Sequence, residues 1–172
     1  THEIPFKDTD GTITYFLNNY IPNFDSEGRV IGFVATGMNI SNEKLSFDEA
    51  KRLAHEFKIM ADSMPQIVWT ANPDGHVDYY NKRWYEFTGL PDNSADNSLW
   101  DSILHPEDRE ILHETWENAL KSGETYELEF RVKYAPTGEY RWLLSRARAV
   151  RDESGKVIKW YGSNTDIHDH KL

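Results

Sequence analysis

The sequence lacks cysteine altogether, and none of its apolar runs approaches the roughly eighteen residues of a membrane-crossing helix. Without cysteine the chain can form no disulfide, no thiolate nucleophile and no cysteine-ligated zinc or iron-sulfur site. The sequence also shows no signal-peptide pattern and no transmembrane segment. These absences favour a soluble protein of a reducing compartment, and we expect a cytoplasmic location.

Positive charge is also scarce: 19 Lys and Arg residues face 29 Asp and Glu residues, for a formal net charge of -10. A protein without an excess of cations releases few counterions from a phosphate backbone. We therefore expect neither nucleic acid nor a membrane surface as a partner. Hydrophobic residues make up 38% of the chain and aromatic residues 13%, which is enough for a packed core.

A polar segment with regularly spaced apolar residues predicts a long helix from Ser46 to Met64. Ser46 and Glu49 match the S-x-x-E capping box, and Pro65 ends the helix. The apolar residues form one stripe at steps of three and four: Ala50, Leu53, Phe57, Met60 and Met64. This stripe can pack on the sheet of a neighbouring domain or against the same helix of a second subunit. We expect a homodimer in which the stripe packs partly on the sheet and partly against the second subunit.

The sequence repeats itself at a shift of 127 residues. The matching segments are Asp25–Phe33 with Asp152–Trp160, and Asn39–Leu45 with Asp166–Leu172. We interpret residues 1–45 as a hairpin that forms the C-terminal third of a truncated domain. Residues 46–64 are then a helical linker, and residues 65–172 are a complete copy of the same domain.

The complete copy reads as two strands, a block of helices and three strands. Asn72–Gly75 predicts a turn between the first two strands, and Tyr126–Tyr134 alternates apolar and charged residues as a half-buried strand does. The predicted helix starts are Asn81, Ser98 or Asp101, and Pro106, and the face expected to be buried on the last helix is Ile111, Leu112, Trp116 and Leu120. This order predicts an α+β domain with a five-stranded antiparallel sheet and its helices on one face.

Seven motifs give this segment a resemblance to the PAS sensor domain with its C-terminal PAC motif. They are Asn72–Gly75, Tyr80–Trp84, Phe87–Gly89, His105–Asp108, Glu129–Arg131, Gly138–Trp142 and Thr165–Ile167. The likeness covers residues 65–172, and its final third recurs in residues 1–45. It implies a sheet of strand order 2-1-5-4-3, a ligand pocket between sheet and helices, and a position upstream of a histidine kinase or a cyclic-dinucleotide enzyme.

The resemblance and the strand pattern together give the candidate site residues. Those expected to line a ligand pocket are Trp84, Phe87, Trp116, Phe130, Ser145 and Ala147. Those expected to relay a signal into the outgoing helices are Asn39, Ile40, Asp166 and Ile167. The family's exit motif reads Asp-Ile-Thr, whereas this sequence has His168 in place of the threonine and Ser41 in the first copy.

No cofactor is expected from the sequence. His113 lies close to the position where haem-binding relatives carry their axial histidine, but a partly exposed helical histidine is the preferred interpretation. A flavin-cysteine adduct is excluded because the chain has no cysteine, whereas non-covalent flavin stays open. His168 and His170 lack a third ligand, so no metal site is predicted. The sequence contains no G-x-S-x-G, H-E-x-x-H or glycine-rich phosphate loop, and we predict no catalytic residue.

We predict that the chain is a non-catalytic PAS sensor module of a multi-domain signalling protein, with a sensor histidine kinase as the expected parent. The module senses a small ligand, or relays a conformational change through its linker helices and dimer contacts to a downstream domain of the same chain. Two alternatives remain open. One is a ligand-free module for dimerisation or protein interaction, and the other is a haem or flavin redox sensor.

Overall fold

The chain divides into two compact units. A computed structural model describes residues 2–91 and 99–171, and the units comprise residues 1–57 and 58–172. The first unit is built on a short antiparallel sheet and the second on a larger sheet with helices. The α+β class that the sequence predicts is thereby confirmed for the second unit.

The first unit contains three antiparallel strands rather than the predicted hairpin of two. They are β1 (His2–Lys7), β2 (Ile13–Phe24) and β3 (Val30–Asn39), in the order β1-β2-β3. The predicted hairpin does not include β1, and Pro5 lies within this strand. Since β1 lies at the edge of this sheet, it tolerates a residue that has no amide hydrogen to donate.

The long helix α1 runs from Ser41 to Ser63, so it begins earlier than the predicted start at Ser46. The chain turns directly from β3 into the helix, where the Asn39 side chain accepts a hydrogen bond of 3.0 Å from the Ser41 N–H. Glu49 does not form the expected capping box, because its carboxylate pairs with Arg52 at 2.6 Å inside the helix. The helix ends just before Pro65, as predicted.

The second unit contains a five-stranded antiparallel sheet. Its strands are β4 (Ile67–Ala71), β5 (Val77–Tyr80), β6 (Tyr126–Lys133), β7 (Tyr140–Arg151) and β8 (Val157–Asp166). They are arranged β5-β4-β8-β7-β6. Counted within this unit, that is the order 2-1-5-4-3 implied by the resemblance.

The helices described in the second unit are α2 (Lys82–Thr88), α3 (Trp100–Ile103), α4 (Arg109–Ser122) and α5 (His168–Lys171). Of the predicted helix starts, Ser98 lies outside the described residues, and Pro106 begins a 3-10 turn ahead of α4. The structure contradicts the predicted burial of Ile111, whose side chain is 47% exposed. It lies one position away from the row of Leu112, Trp116 and Leu120 that packs on the core. None of the described helices is both long enough and apolar enough to cross a membrane.

The hydrophobic core lies between one face of this sheet and α2 to α4. The sheet contributes fully buried Phe130, Val132, Leu143 and Trp160, and α2 contributes Trp84. Burial of such large side chains is worth about 1.5–3 kcal/mol each before the entropy of ordering is counted. The core therefore fixes the position of every strand that approaches the candidate site.

Two of the sequence motifs meet where α4 begins. The Arg131 guanidinium on β6 binds the Asp108 carboxylate at 2.6 Å and Glu107 at 2.9 Å. Burial would raise the pKa of Asp108, but the hydrogen bonds from Arg131 outweigh it and hold that pKa below its ordinary value. This ion pair ties the start of α4 to the middle of β6.

Asn81 is the buried polar residue that joins three elements. Its side chain accepts from the Val68 N–H at 3.0 Å and donates to the carbonyl oxygens of Ala61 at 2.8 Å and Gln66 at 3.0 Å. The sequence predicts that Asn81 caps α2, but its side chain makes no capping hydrogen bond. It instead connects the last turn of α1, the start of β4 and the start of α2.

We predict that Asn81→Ala lowers the free energy of unfolding by about 3 kcal/mol, because it removes the buried side-chain partner of the Val68 N–H and of the Gln66 carbonyl oxygen. Urea unfolding measures the change. The control is Asn118→Ala on the exposed side of α4, which we expect to change stability by less than about 0.5 kcal/mol. Equal effects of the two substitutions would contradict the role given to Asn81.

Candidate functional site

A cavity of about 170 Å³ lies between the sheet and helices α3 and α4 of the second unit. Its apolar and aromatic lining comes from Val77, Leu104, Leu112 and Phe130, with Trp69, Trp100, Trp116 and Tyr126. The remaining lining residues are Gly75, Asp101, His113, Ser145 and Asn164. The site is therefore largely apolar, with a few polar groups, as small-molecule sites usually are.

Gly162 shapes the wall of the cavity formed by β4 and β8. A Cβ atom at this position would lie only 2.3 Å from the Trp69 ring, so the ring can cross β8 only because residue 162 is glycine. In this place the Trp69 Nε1–H donates a hydrogen bond of 3.0 Å to Asn164 Oδ1. The bond fixes which side of the Asn164 amide is the acceptor.

The other side of that amide is a free donor. Asn164 is 2% exposed, and its Nδ2 is buried without a hydrogen-bond partner among the described residues. An unpaired buried donor of this kind costs about 1–3 kcal/mol. Because Asn164 lines this cavity and also a smaller one beside Ile67 and Phe87, a ligand whose acceptor atom reaches Nδ2 would remove this cost.

The Trp116 ring on α4 closes the far side of the cavity. It packs edge to face against Trp69 at 5.6 Å, Tyr126 at 5.1 Å and Trp160 at 5.1 Å between ring centroids. Its Nε1–H donates to the Gly75 carbonyl oxygen at 3.2 Å. These ring contacts restrict the motion of the Trp116 side chain on this side of the cavity.

Two further groups make the cavity polar in places. Burial raises the pKa of the Tyr126 hydroxyl, and a hydrogen bond with Ser145 opposes part of that rise. Both side chains therefore stay uncharged at neutral pH. Asp101 and His113 also line the cavity, and both residues are exposed to solvent. In the described residues no cluster of three His, Asp or Glu side chains could hold a metal ion.

The structure brings only part of the predicted pocket residues together. Trp116, Phe130 and Ser145 line the cavity. Trp84, Phe87 and Ala147 are buried in the core and are not among its lining residues. Trp69, Tyr126 and Asn164 line the cavity without being among the predicted pocket residues, because the pairing of β4 and β6 with distant strands brings them to the site. His113, which we expect to be a partly exposed helical histidine rather than a haem ligand, lies at the cavity.

The predicted relay residues Asp166 and Ile167 form the turn between β8 and α5, here called the second exit turn. The Ile167 N–H donates to the Trp142 carbonyl oxygen at 2.9 Å. The Asp166 carboxylate binds Arg141 at 2.8 Å, and Arg141 also reaches Asp169 on α5 at 3.0 Å. These contacts hold the start of α5 against β7. Hydrogen bonds to Asp166 raise the pKa of Arg141, which remains charged at every physiological pH.

His168 leaves a ring nitrogen unpaired at this turn. Its Nδ1 is buried without a hydrogen-bond partner among the described residues. The corresponding turn of the first unit, Asn39–Ile40, is followed by Ser41, whose Oγ accepts from the Tyr15 N–H at 2.9 Å. The replacement of serine by histidine therefore removes one hydrogen bond from the second exit turn.

The predicted stripe of α1 faces solvent along much of its length. Leu53 is 52% exposed, Met60 53% and Met64 39%, and Ala50 is also exposed. Phe57 is half-buried. Within a single chain this stripe consequently keeps apolar surface that a partner could cover.

Comparison with known proteins identifies the family of the second unit. A family model described as PAS fold matches residues 77–164, about half of the chain. The uncharacterized protein y4lL of Sinorhizobium fredii is 31% identical over 138 residues, covering 80% of this chain. The peroxide stress-activated histidine kinase mak1 of Schizosaccharomyces pombe is 29% identical over 185 residues, covering 99% of this chain. The chain spans only 16% and 11% of the lengths of these two relatives.

A solved structure agrees with this assignment. The N-terminal domain of a diguanylate cyclase with PAS/PAC sensor from Marinobacter aquaeolei is 26% identical and has a TM-score of 0.55. The match covers 62% of this chain and 99% of that domain. The likeness therefore extends over one whole domain of the solved protein.

We predict that His168→Ser raises the free energy of unfolding by about 1 kcal/mol. A serine hydroxyl there can accept a hydrogen bond like the one that Ser41 accepts from the Tyr15 N–H in the first unit. Urea unfolding of the two proteins measures the difference. The control is His170→Ser, which changes an exposed histidine of the same helix. An equal gain in both variants would show that the added stability does not come from a hydrogen bond at the second exit turn.

Proposed function

The chain belongs to the PAS fold family, and from this premise we propose that residues 65–172 are the sensor module of a multi-domain signalling protein. The named relatives support this role, since one is a histidine kinase and another is a diguanylate cyclase with a PAS/PAC sensor. A histidine kinase parent in the cytoplasm is the proposed context. The module itself passes on a signal and carries out no reaction.

The free Nδ2 of Asn164 is the observation that carries the proposed ligand. A cavity of about 170 Å³ is close to the roughly 150 Å³ that holds one benzene molecule in an engineered protein core. The unpaired Nδ2 donor favours a ligand with a hydrogen-bond acceptor atom, and the surrounding tryptophan rings favour a flat apolar ring in the ligand. The proposed ligand is therefore a small uncharged molecule with one ring and one hydrogen-bond acceptor.

The same dimensions argue against a haem or flavin sensor. Pockets for ligands of that size usually measure about 300–1,000 Å³, well above the cavity seen here. His113 is an exposed residue of α4, and a single exposed histidine does not make a haem site. The expectation of no cofactor stays a prediction, and an absorption band above the aromatic region in the purified protein would contradict it.

The path from ligand to output is short in this proposal. Asn164 lies on β8 two positions before Asp166, whose carboxylate holds Arg141 at the second exit turn. A ligand that binds Asn164 favours one position of β8. Because Asp166 is the last residue of the same strand, the second exit turn shifts with it. The outgoing helix α5 would carry this bias to the next domain.

We predict that phenol binds the cavity about tenfold more tightly than toluene, because only the phenol oxygen can accept from Asn164 Nδ2. Titration calorimetry measures both affinities. The test is made in a Trp69→Phe background, because Asn164→Leu would otherwise leave the Trp69 indole N–H without its hydrogen-bond acceptor. In that background we expect Asn164→Leu to abolish the preference for phenol. A preference that survives Asn164→Leu would contradict the proposed contact, and no binding of either compound would contradict the ligand class.

A dimerisation module is the second candidate, favoured by the exposed stripe of α1. Leu53 and Met60 are each more than half exposed, and two such stripes can bury each other in a parallel pair of helices. A homodimer would place two sensor modules side by side and is compatible with the first proposal. In the ligand-free version the cavity would have no regulatory role.

We predict that Leu53→Asp weakens self-association of residues 1–172 by at least about tenfold, because it places two charges in an apolar contact. Sedimentation equilibrium measures the dissociation constant. The matched control is His55→Asp, at an exposed position on the opposite side of α1. If both variants associate as the original protein does, α1 does not form the subunit contact.

A further inference from the structure

The three strands of the first unit reproduce the last three strands of the second. β2 and β7, like β3 and β8, begin and end at residues separated by a constant shift of 127. The pairing register is the same, since Phe16 faces Asn39 and Leu143 faces Asp166. The pairing register of β2 with β3 shifts at Phe24, and that of β7 with β8 shifts at the equivalent residue, Arg151.

The exits from the two sheets repeat a set of side-chain contacts. At the first, Lys44 binds Glu3 at 2.6 Å and its Nζ lies 4.4 Å from the centre of the Tyr15 ring. At the second, Lys171 binds Glu129 at 2.5 Å and its Nζ lies 5.2 Å from the Trp142 ring. The glutamate lies on the first strand of each set, the aromatic ring on the second and the lysine on the outgoing helix.

The backbone of each exit turn is held in the same way. The Ile40 N–H donates to the Tyr15 carbonyl oxygen at 2.9 Å, and the Ile167 N–H donates to the Trp142 carbonyl oxygen at 2.9 Å. The repeat thus extends from strand order through register to individual contacts. Such agreement indicates the same domain type twice.

The two copies differ in what covers the inner face of the sheet. In the second unit Phe130, Leu143 and Trp160 are at most 1% exposed, because α2 to α4 pack over them. Their counterparts in the first unit are Ile4, Phe16 and Phe33, here called the bare face. Ile4 is 39% exposed and Phe33 is 67% exposed.

The outer edge of β3 has no partner strand among the described residues, whereas its counterpart β8 pairs with β4. An unpaired edge next to exposed Phe33 and Val34 would invite aggregation. In the second unit one continuous segment, residues 67–125, supplies both β4, the strand that pairs with β8, and the covering helices. A second copy of the chain laid on the bare face would cover the side chains but leave this edge unpaired.

We propose that residues 2–44 are the final strands and exit of another PAS domain, and that its bare face binds the helices of that same domain. The occupant is the part of the natural chain that precedes Thr1. The mak1 alignment, which extends over 99% of this chain, supports the inclusion of the first unit in the signalling protein. The helix α1 then links one sensor domain to the next.

Hydrogen exchange of the natural full-length protein and of residues 1–172 tests this proposal. We expect amide exchange along β3 to be at least about tenfold slower in the full-length protein, because its edge is paired there. Equal exchange in the two proteins would overturn the proposal. So would a natural chain with fewer residues before Thr1 than the segment 67–125 contains, or slow exchange in residues 1–172 that appears only at high protein concentration.

Two variants separate the bare face from the opposite face. In the full-length protein we expect Phe33→Asp to return the exchange of β1 to β3 to the fast rates of residues 1–172. Val34→Asp is the control, because Val34 is exposed and its counterpart Tyr161 remains 46% exposed in the complete domain. Equal exchange in the two full-length variants would mean that the bare face is not the covered one and would overturn the proposal.

Discussion

The side chain of Asn81 holds the second unit together at the point where the chain enters it. Its amide satisfies an N–H of β4 and two carbonyl groups, one of them in the last turn of α1. The Lys82 N–H donates to Asp62 at 2.7 Å beside it. The start of α2, strand β4 and the last turn of α1 are thus fixed to one another, which helps to place Trp69 on β4 and Trp84 on α2.

The cavity depends on a second constraint, the close approach of Trp69 to Gly162. The glycine allows the ring to cross β8, the ring orients Asn164, and the orientation leaves one buried donor free. A polar group left unpaired in a core is unfavourable unless something else gains from it. In a sensor the unpaired donor is available to bind a ligand, and the binding energy can shift the strand that carries the donor.

Much of the fold follows from the sequence, whereas the site follows only in part. Alternation in Tyr126–Tyr134, the turn at Asn72–Gly75 and the shift of 127 residues are local or periodic signals, and the structure agrees with them. The role of Asn81 is different, because its partners lie up to 20 residues away and an asparagine before a helix looks like a cap. Asn164 and Trp69 meet only through strand pairing, so no local pattern marks them.

The central claim is that occupancy of the cavity changes the second exit turn. Hydrogen exchange of the Ile167 amide, whose N–H donates to Trp142, reports on that turn directly. With saturating phenol, we expect the Ile167 amide to exchange about fivefold more slowly, which corresponds to a coupling of about 1 kcal/mol. If phenol slows exchange around Trp69 and Asn164 while Ile167 keeps its original rate, the cavity and the exit are not coupled and the account is wrong.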